Sequence, residues 1–68
     1  MTKGEARVRI IFNPSADTLV DKIKQKTAEL IDLVESINTM DLEVHRLKDK
    51  AQSDYEQAAM WAVKAATA

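Results

Sequence analysis

The strongest constraint on the fold is a pair of side-chain rows that repeat with helical period but do not share one register. The first row repeats every three or four residues and comprises Val20, Ile23, Thr27, Leu30, Val34 and Ile37. Such spacing predicts an α-helix with one packing stripe. An unbroken helix would carry that stripe on to Asp41 and Lys48, which are poor core residues. The second row avoids both and comprises Met40, Val44, Leu47, Ala51, Ala58, Trp61 and Ala65.

The change of register falls in a polar segment that favours a turn. Its residues suited to turns and helix caps are Ser36, Asn38, Thr39 and Asp41. Two antiparallel helices, over about residues 15–37 and 40–66, therefore explain both rows within a single domain of residues 1–68. One long bent helix stays open as an alternative, because the segment holds neither glycine nor proline.

The residues before the first helix predict a short extended segment. Residues 7–10, Arg-Val-Arg-Ile, alternate polar and apolar side chains, which is the period of a half-buried strand. Pro14 has no amide hydrogen to donate and would end such a strand. Residues 1–13 are thus predicted to be extended. The predicted fold class is all-α, an antiparallel helical hairpin with an extended N-terminal segment.

The small size of the chain predicts association between copies. A domain of 68 residues hides little surface, and the absence of cysteine excludes disulfides and thiolate zinc sites. Subunit contacts are the remaining source of stability, so we expect a compact homo-oligomer. Alanines around a tryptophan near the end of the chain would let helices approach closely. The predicted interface residues are Trp61, Met60, Ala58, Ala65, Val34 and Leu30.

The sequence offers no catalytic machinery and predicts a protein that is not an enzyme. His45 is the only histidine, with no nucleophile placed beside it, and a single glycine cannot form a glycine-rich phosphate loop. We predict no catalytic residue, no metal site and no cofactor. Most carboxylates fall outside the helical rows and predict a solvated face: Glu29, Asp32, Glu35, Asp49, Asp54 and Glu56. No long apolar run is present, so a soluble, intracellular protein is expected.

Basic side chains concentrate in the first part of the chain. Residues 1–26 carry six lysines and arginines against three acidic residues, whereas residues 27–68 carry four against eight. This balance argues against binding of long nucleic acid and is compatible with a small anion. Arginine can stack on a purine and hold a phosphate with two hydrogen bonds. The other interpretation of these charges is ordinary solubilisation.

Motifs at both ends of the chain resemble one known family. Residues 12–17, Phe-Asn-Pro-Ser-Ala-Asp, followed by Val20 and Lys24, resemble the opening of the anti-CBASS sponges. Residues 58–67, Ala-Ala-Met-Trp-Ala-Val-Lys-Ala-Ala-Thr, resemble their ending. These small phage proteins counter a bacterial defence that signals through cyclic oligonucleotides. A related hairpin occurs in the phage sponges for cyclic ADP-ribose-type signals of Thoeris defence.

The resemblance implies a helical hairpin that assembles into a hexamer. It also implies that cyclic dinucleotides of the cyclic GMP–AMP type are held whole in pockets between protomers, with a separate site for cyclic trinucleotides in some members. In this interpretation the chain acts in the cytoplasm of the infected bacterial host and blocks activation of CBASS effectors without cleaving the signal.

The chemistry and the resemblance together select a set of ligand-contact residues. The first choices are Arg9, Phe12, Asn13 and Lys24, followed by Ser15, Arg7 and Lys64. An aromatic residue for base stacking is expected before the motif, but residues 7–9 are Arg-Val-Arg, so Arg9 is the substitute. Two alternatives stay open: a structural or adaptor oligomer that binds a partner protein, and a sponge for cyclic ADP-ribose isomers.

Overall fold

The structure, a computed structural model, describes residues 2–8 and 18–68. Three α-helices occupy these residues: α1 (Lys3–Val8), α2 (Thr18–Glu35) and α3 (Leu42–Ala66). The described residues contain no β-strand, which confirms for them the prediction of an all-α chain. None of these three helices carries an apolar stretch that could cross a lipid bilayer.

Helices α2 and α3 form an antiparallel hairpin. Gln52 Nε2 donates to the Ile31 carbonyl oxygen at 3.3 Å, and Lys48 Nζ donates to the Glu35 carbonyl oxygen at 3.0 Å. Because residue numbers rise on one helix as they fall on the other, the two helices run in opposite directions. Residues 15–17, the start of the first predicted helix, lie outside the described residues, so the predicted bounds stay a prediction. Residues 37–41 are not helical, so the alternative of one long bent helix is wrong.

Side chains cap both helix ends at the turn. Asp41 Oδ1 accepts from the Glu43 amide at 2.8 Å, and Thr39 Oγ1 accepts from the Asp41 amide at 3.0 Å. Lys48 Nζ donates to the Ile37 carbonyl oxygen at 2.7 Å, beside the end of α2. The bond to the Glu43 amide satisfies a backbone donor that the start of α3 leaves without an intrahelical partner, and the other two hold the residues of the turn. The turn therefore forms without glycine or proline.

The N-terminal residues correct the prediction of an extended segment over residues 1–13. Residues 3–8 are helical, so the prediction is wrong there, and residues 9–13 lie outside the described residues. A capping box starts the helix. Thr2 Oγ1 accepts from the Glu5 amide at 3.1 Å, and Glu5 Oε1 accepts from the Thr2 amide at 3.2 Å.

Gly4 allows α1 to pack closely against α2. A Cβ at Gly4 would overlap the Ala28 carbonyl oxygen and would lie 2.8 Å from Asp32 Oδ1. The Gly4 amide donates to Asp32 Oδ1 at 2.8 Å, and Lys3 Nζ lies 3.0 Å from Glu35 Oε2. Two carboxylates that were predicted to lie on a solvated face therefore hold α1 in place.

Few of the apolar side chains that the structure describes are buried within one chain. The buried residues among those described are Gly4, Val20, Ala28, Ile31, Gln52 and Ala59. The large apolar residues that are exposed are Leu19, Leu30, Leu33, Ile37, Met40, Leu42, Leu47, Met60 and Trp61. An apolar surface of this extent favours contact with other chains. The predicted homo-oligomer stays a prediction.

Candidate functional site

A cavity of about 400 Å³ opens where α1 and the first half of α2 meet the second half of α3. Such a volume lies within the range of about 300–1,000 Å³ that is usual for small-molecule sites. The lining residues are Arg7, Val8, Lys24, Glu56, Ala59, Met60 and Val63. All three helices contribute, so the cavity exists only when α1 is docked on the hairpin.

The antiparallel register explains why α2 and α3 meet at this cavity. The lining residues from α3 recur at helical spacing and share one face: Glu56, Ala59, Met60 and Val63. Lys24 lies seven residues before Ile31 on α2, and Ala59 lies seven residues after Gln52 on α3. Because Ile31 and Gln52 are paired, Lys24 and Ala59 come to the same level of the hairpin.

The last turn of α1 supplies an arginine that is held by carboxylates of α3. Arg7 Nη1 lies 3.3 Å from Glu56 Oε2, and Arg7 Nη2 lies 4.0 Å from Asp49 Oδ1. The Arg7 side chain is 25% exposed, so it is partly withdrawn from solvent. These contacts fix the guanidinium at one wall of the cavity and attach the end of α1 to α3.

The cavity combines a positive rim with an apolar wall. Arg7 and Lys24 line the cavity together with Glu56, the one carboxylate among the described lining residues. Within the described ranges, Lys24 forms no ion pair. Met60 and Val63 supply apolar surface. This arrangement suits a flat ring that carries a phosphate, because the ring contacts the wall and the anion meets the cations.

A second polar cluster holds the start of α1 near the turn of the hairpin. The Glu35 carboxylate lies 3.0 Å from Lys3 Nζ and 3.7 Å from Lys48 Nζ. The hydrogen bond from Lys3, the charge of Lys3 and the charge of Lys48 lower the pKa of Glu35 from its ordinary value of 4.5. Helix α1 is therefore attached at both ends, through Glu35 at its start and Glu56 at its end.

The structure brings two of the predicted ligand contacts into one site. Arg7 and Lys24 line the same cavity. Lys64 does not line it, and its Nζ instead lies 5.5 Å from the centroid of the Trp61 ring, a cation–π contact on another face of α3. Four further predicted contacts lie outside the described residues and stay predictions: Arg9, Phe12, Asn13 and Ser15.

The predicted interface residues lie mostly on the surface of the single chain. Met60 is 67% exposed and also lines the cavity, and Trp61 is 68% exposed. Of the others, Ala58, Ala65 and Leu30 are exposed and Val34 is half-buried. These residues are accessible for contacts between chains, and their role at an interface stays a prediction.

Sequence reasoning missed Glu56 as a member of the site. It was placed on a solvated face, yet it lines the cavity and pairs with Arg7. Its spacing from Met60 and Val63 was the available signal, because these positions share a helical face. The opposite wall comes from α1, which was not predicted to be helical. No cluster of histidine and carboxylate side chains in residues 2–8 and 18–68 could hold a metal ion.

Comparison with known proteins gives one match. The sequence model of a protein family described as "Acb2/Tad1, hairpin domain" matches residues 3–67, which include every residue that lines the cavity. Neither a curated protein nor a solved structure matches the chain. A match over nearly the whole length shows the family. The chain therefore belongs to the Acb2/Tad1 hairpin family, the sponges directed against CBASS and Thoeris defence.

Proposed function

We propose that this chain is a phage protein that binds cyclic dinucleotides of the cyclic GMP–AMP type and sequesters them without cleavage. It would thereby keep the signal from CBASS effectors in the cytoplasm of the infected bacterial host. Cyclic trinucleotides are a second ligand class in this proposal. The observation that carries it is the cavity, in which Arg7 and Lys24 lie beside an apolar wall in a member of a sponge family.

Sequestration without chemistry is consistent with the groups that line the cavity. The lining found among the described residues has no hydroxyl, thiol or imidazole group that could attack a phosphodiester. The one carboxylate in this described part of the lining, Glu56, is engaged by Arg7. A sponge needs only tight binding and enough copies to lower the free signal below the threshold of its receptor.

We propose further that the active form is a homo-oligomer, with the hexamer of the family as the expected state. A cyclic dinucleotide has two bases and two phosphates in nearly two-fold arrangement, whereas one chain offers one Lys24 and one Arg7. A symmetric interface presents each residue twice and would match both halves of the ligand. The exposed apolar residues, with Trp61 and Met60 among them, provide surface for such contacts.

A sponge for cyclic ADP-ribose isomers is the nearest alternative, because the family also opposes Thoeris defence. Such ligands also combine a purine with phosphates and would engage the same cations. An adaptor that binds a partner protein is the second alternative, favoured only by the exposed apolar surface. It would not require a cationic cavity, and so we prefer the sponge.

The test is calorimetric titration of cyclic GMP–AMP into the protein and into Lys24→Gln. Removal of a charged contact to phosphate should weaken binding by about 10- to 100-fold. Lys22→Gln is the matched control, because Lys22 is exposed on the same helix and does not line the cavity. Its affinity should stay within about twofold of the original.

Light scattering on each variant would establish that the oligomer persists, so that lost binding is not lost folding. Absence of heat with cyclic GMP–AMP, followed by clear binding of a cyclic ADP-ribose isomer, would favour the first alternative. Absence of binding to either class would overturn the proposed function. Equal weakening by both lysine variants would show that the cavity is not the site.

A further inference from the structure

We propose that Glu56 reads the base of the bound nucleotide and gives the cavity a preference for guanine over adenine. This inference rests on the proposed function, since it assumes that a cyclic nucleotide enters the cavity. Glu56 is the only lining residue among those described that carries a carboxylate, whose oxygens accept hydrogen bonds but donate none. Bases that are read by proteins are bound through hydrogen bonds at their edges.

The arrangement of the cavity places Glu56 at the edge of a bound ring. Met60 and Val63 lie on the same face of α3 as Glu56 and offer apolar contact to the flat surface of a base. Lys24 comes from α2, on another wall, and is available to a phosphate. A base that packs on the apolar wall would therefore present an edge to Glu56 while its phosphate meets Lys24.

The contact with Arg7 orients the Glu56 carboxylate and leaves acceptor capacity unused. Arg7 Nη1 lies 3.3 Å from Glu56 Oε2, which holds that oxygen toward α1. Within residues 2–8 and 18–68, no donor is bonded to Oε1. Each carboxylate oxygen can accept two hydrogen bonds, so Oε1 and the second position on Oε2 stay available. The two oxygens of the Glu56 carboxylate can therefore accept hydrogen bonds from two neighbouring donors of a ligand.

Guanine supplies those two donors and adenine does not. The Watson–Crick edge of guanine carries N1–H and the N2 amino group side by side, which match the two carboxylate oxygens. Adenine places the unprotonated N1 next to its N6 amino group, so one carboxylate oxygen would face a second acceptor. A binding site whose acceptors are placed for a donor group binds an analogue without that donor much more weakly. Glu56 therefore favours guanine by attraction and disfavours adenine by repulsion.

The test compares cyclic di-GMP with cyclic di-AMP by calorimetry on three forms of the full-length protein. The original protein should bind cyclic di-GMP about tenfold or more tightly than cyclic di-AMP. In Glu56→Gln the ratio should fall to near one or reverse, because an amide offers one acceptor and one donor and can pair with adenine. The overall affinity of Glu56→Gln for both ligands should not be lost, because a negative charge has been removed from an anion site.

Asp49→Asn is the matched control. Asp49 also lies beside Arg7, at 4.0 Å from Nη2, but it does not line the cavity. The substitution removes the same unit of charge near the same arginine, so it reproduces the electrostatic change without altering the proposed base contact. The ratio of the two affinities should be preserved in Asp49→Asn.

The possible results distinguish a failure of this inference about Glu56 from a failure of the proposed sponge function. A ratio near one in the original protein, with tight binding of both ligands, would overturn the role of Glu56 and leave the sponge intact. A ratio that Glu56→Gln leaves unchanged, or that Asp49→Asn abolishes equally, would also overturn it. No binding of any cyclic nucleotide by the original protein would overturn the proposed function itself.

Discussion

Replacement of Gly4 with alanine should destabilise this protein, although the same change stabilises most helices. In a helix interior, alanine is favoured over glycine by about 1 kcal/mol. At Gly4 the added Cβ would overlap the carbonyl oxygen of Ala28, a backbone atom that cannot rotate away. Helix α1 must then move off α2. The hydrogen bond from the Gly4 amide to Asp32 Oδ1 would be lost with that movement.

The expected change in the free energy of unfolding follows from two opposing effects, the lost hydrogen bond and the higher helix propensity of alanine. A hydrogen bond to a charged group contributes about 1.5–3 kcal/mol, and the helix propensity of alanine offsets about 1 kcal/mol of the loss. We therefore expect the free energy of unfolding to fall by about 0.5–2 kcal/mol. Arg7 would move together with α1, so binding of cyclic GMP–AMP should weaken in the same variant.

Urea unfolding, followed by far-UV circular dichroism, measures the change. All variants should be compared at one protein concentration, because the stability of an oligomer depends on it. Ala6→Leu is the control, since it adds bulk to an exposed position of the same helix and should alter stability by less than about 0.5 kcal/mol. A Gly4→Ala protein more stable than the original would refute the close packing of α1 on Ala28.

Two further changes test the contacts around Glu35. Its pKa is lowered in the folded protein, so its stabilising contribution is full above 4.5 and is lost as pH falls through the lower folded value. Urea unfolding of Glu35→Gln should lack this part of the pH dependence, and an identical pH profile would contradict the ion pairs. Lys48→Met should lower the free energy of unfolding by about 1–2 kcal/mol, because the Ile37 carbonyl loses its donor. Lys50→Met, at an exposed position, should change it by less than about 0.5 kcal/mol, and equal losses would contradict the capping role of Lys48.

The hairpin could be predicted because its signal is local and repeated. The row from Val20 to Ile37 and the row from Met40 to Ala65 each span several turns, and their mismatch at Asp41 requires a break. Asp41 then caps α3, as expected of an aspartate at such a position. Lys48 was recognised as unsuited to the core. Its bonding to carbonyl oxygens near the end of α2 could not be predicted without the fold.

The N-terminal helix was missed because two local signals competed. The alternation at residues 7–10 predicted a strand, whereas Thr2 and Glu5 carry the spacing of a capping box. A helix of six residues is not stable by itself, so the outcome depends on packing against α2. The collision that Gly4 avoids and the bond to Asp32 arise between distant parts of the chain. No local pattern contains them.

Contacts between distant parts of the chain also decide which residues of the site could be predicted from the sequence. Arg7 and Lys24 were selected by charge and by resemblance. Neither criterion requires knowledge of which helices pack against each other. Glu56 was misplaced because its role depends on Arg7, which lies on a helix that was not predicted. A carboxylate outside the helical rows is usually solvated. Its contact with Arg7 forms only when α1 packs against the hairpin.

The most direct test of sequestration is recovery of the signal from the complex. Purified protein in excess would be mixed with cyclic GMP–AMP, and the free ligand would be measured after ultrafiltration. The retained fraction would then be denatured and its nucleotides separated by chromatography. We predict that the free ligand falls to near zero and that the intact cyclic dinucleotide returns in full on denaturation. Recovery of a linear product, or free passage of the ligand through the filter at every protein concentration, would contradict sequestration.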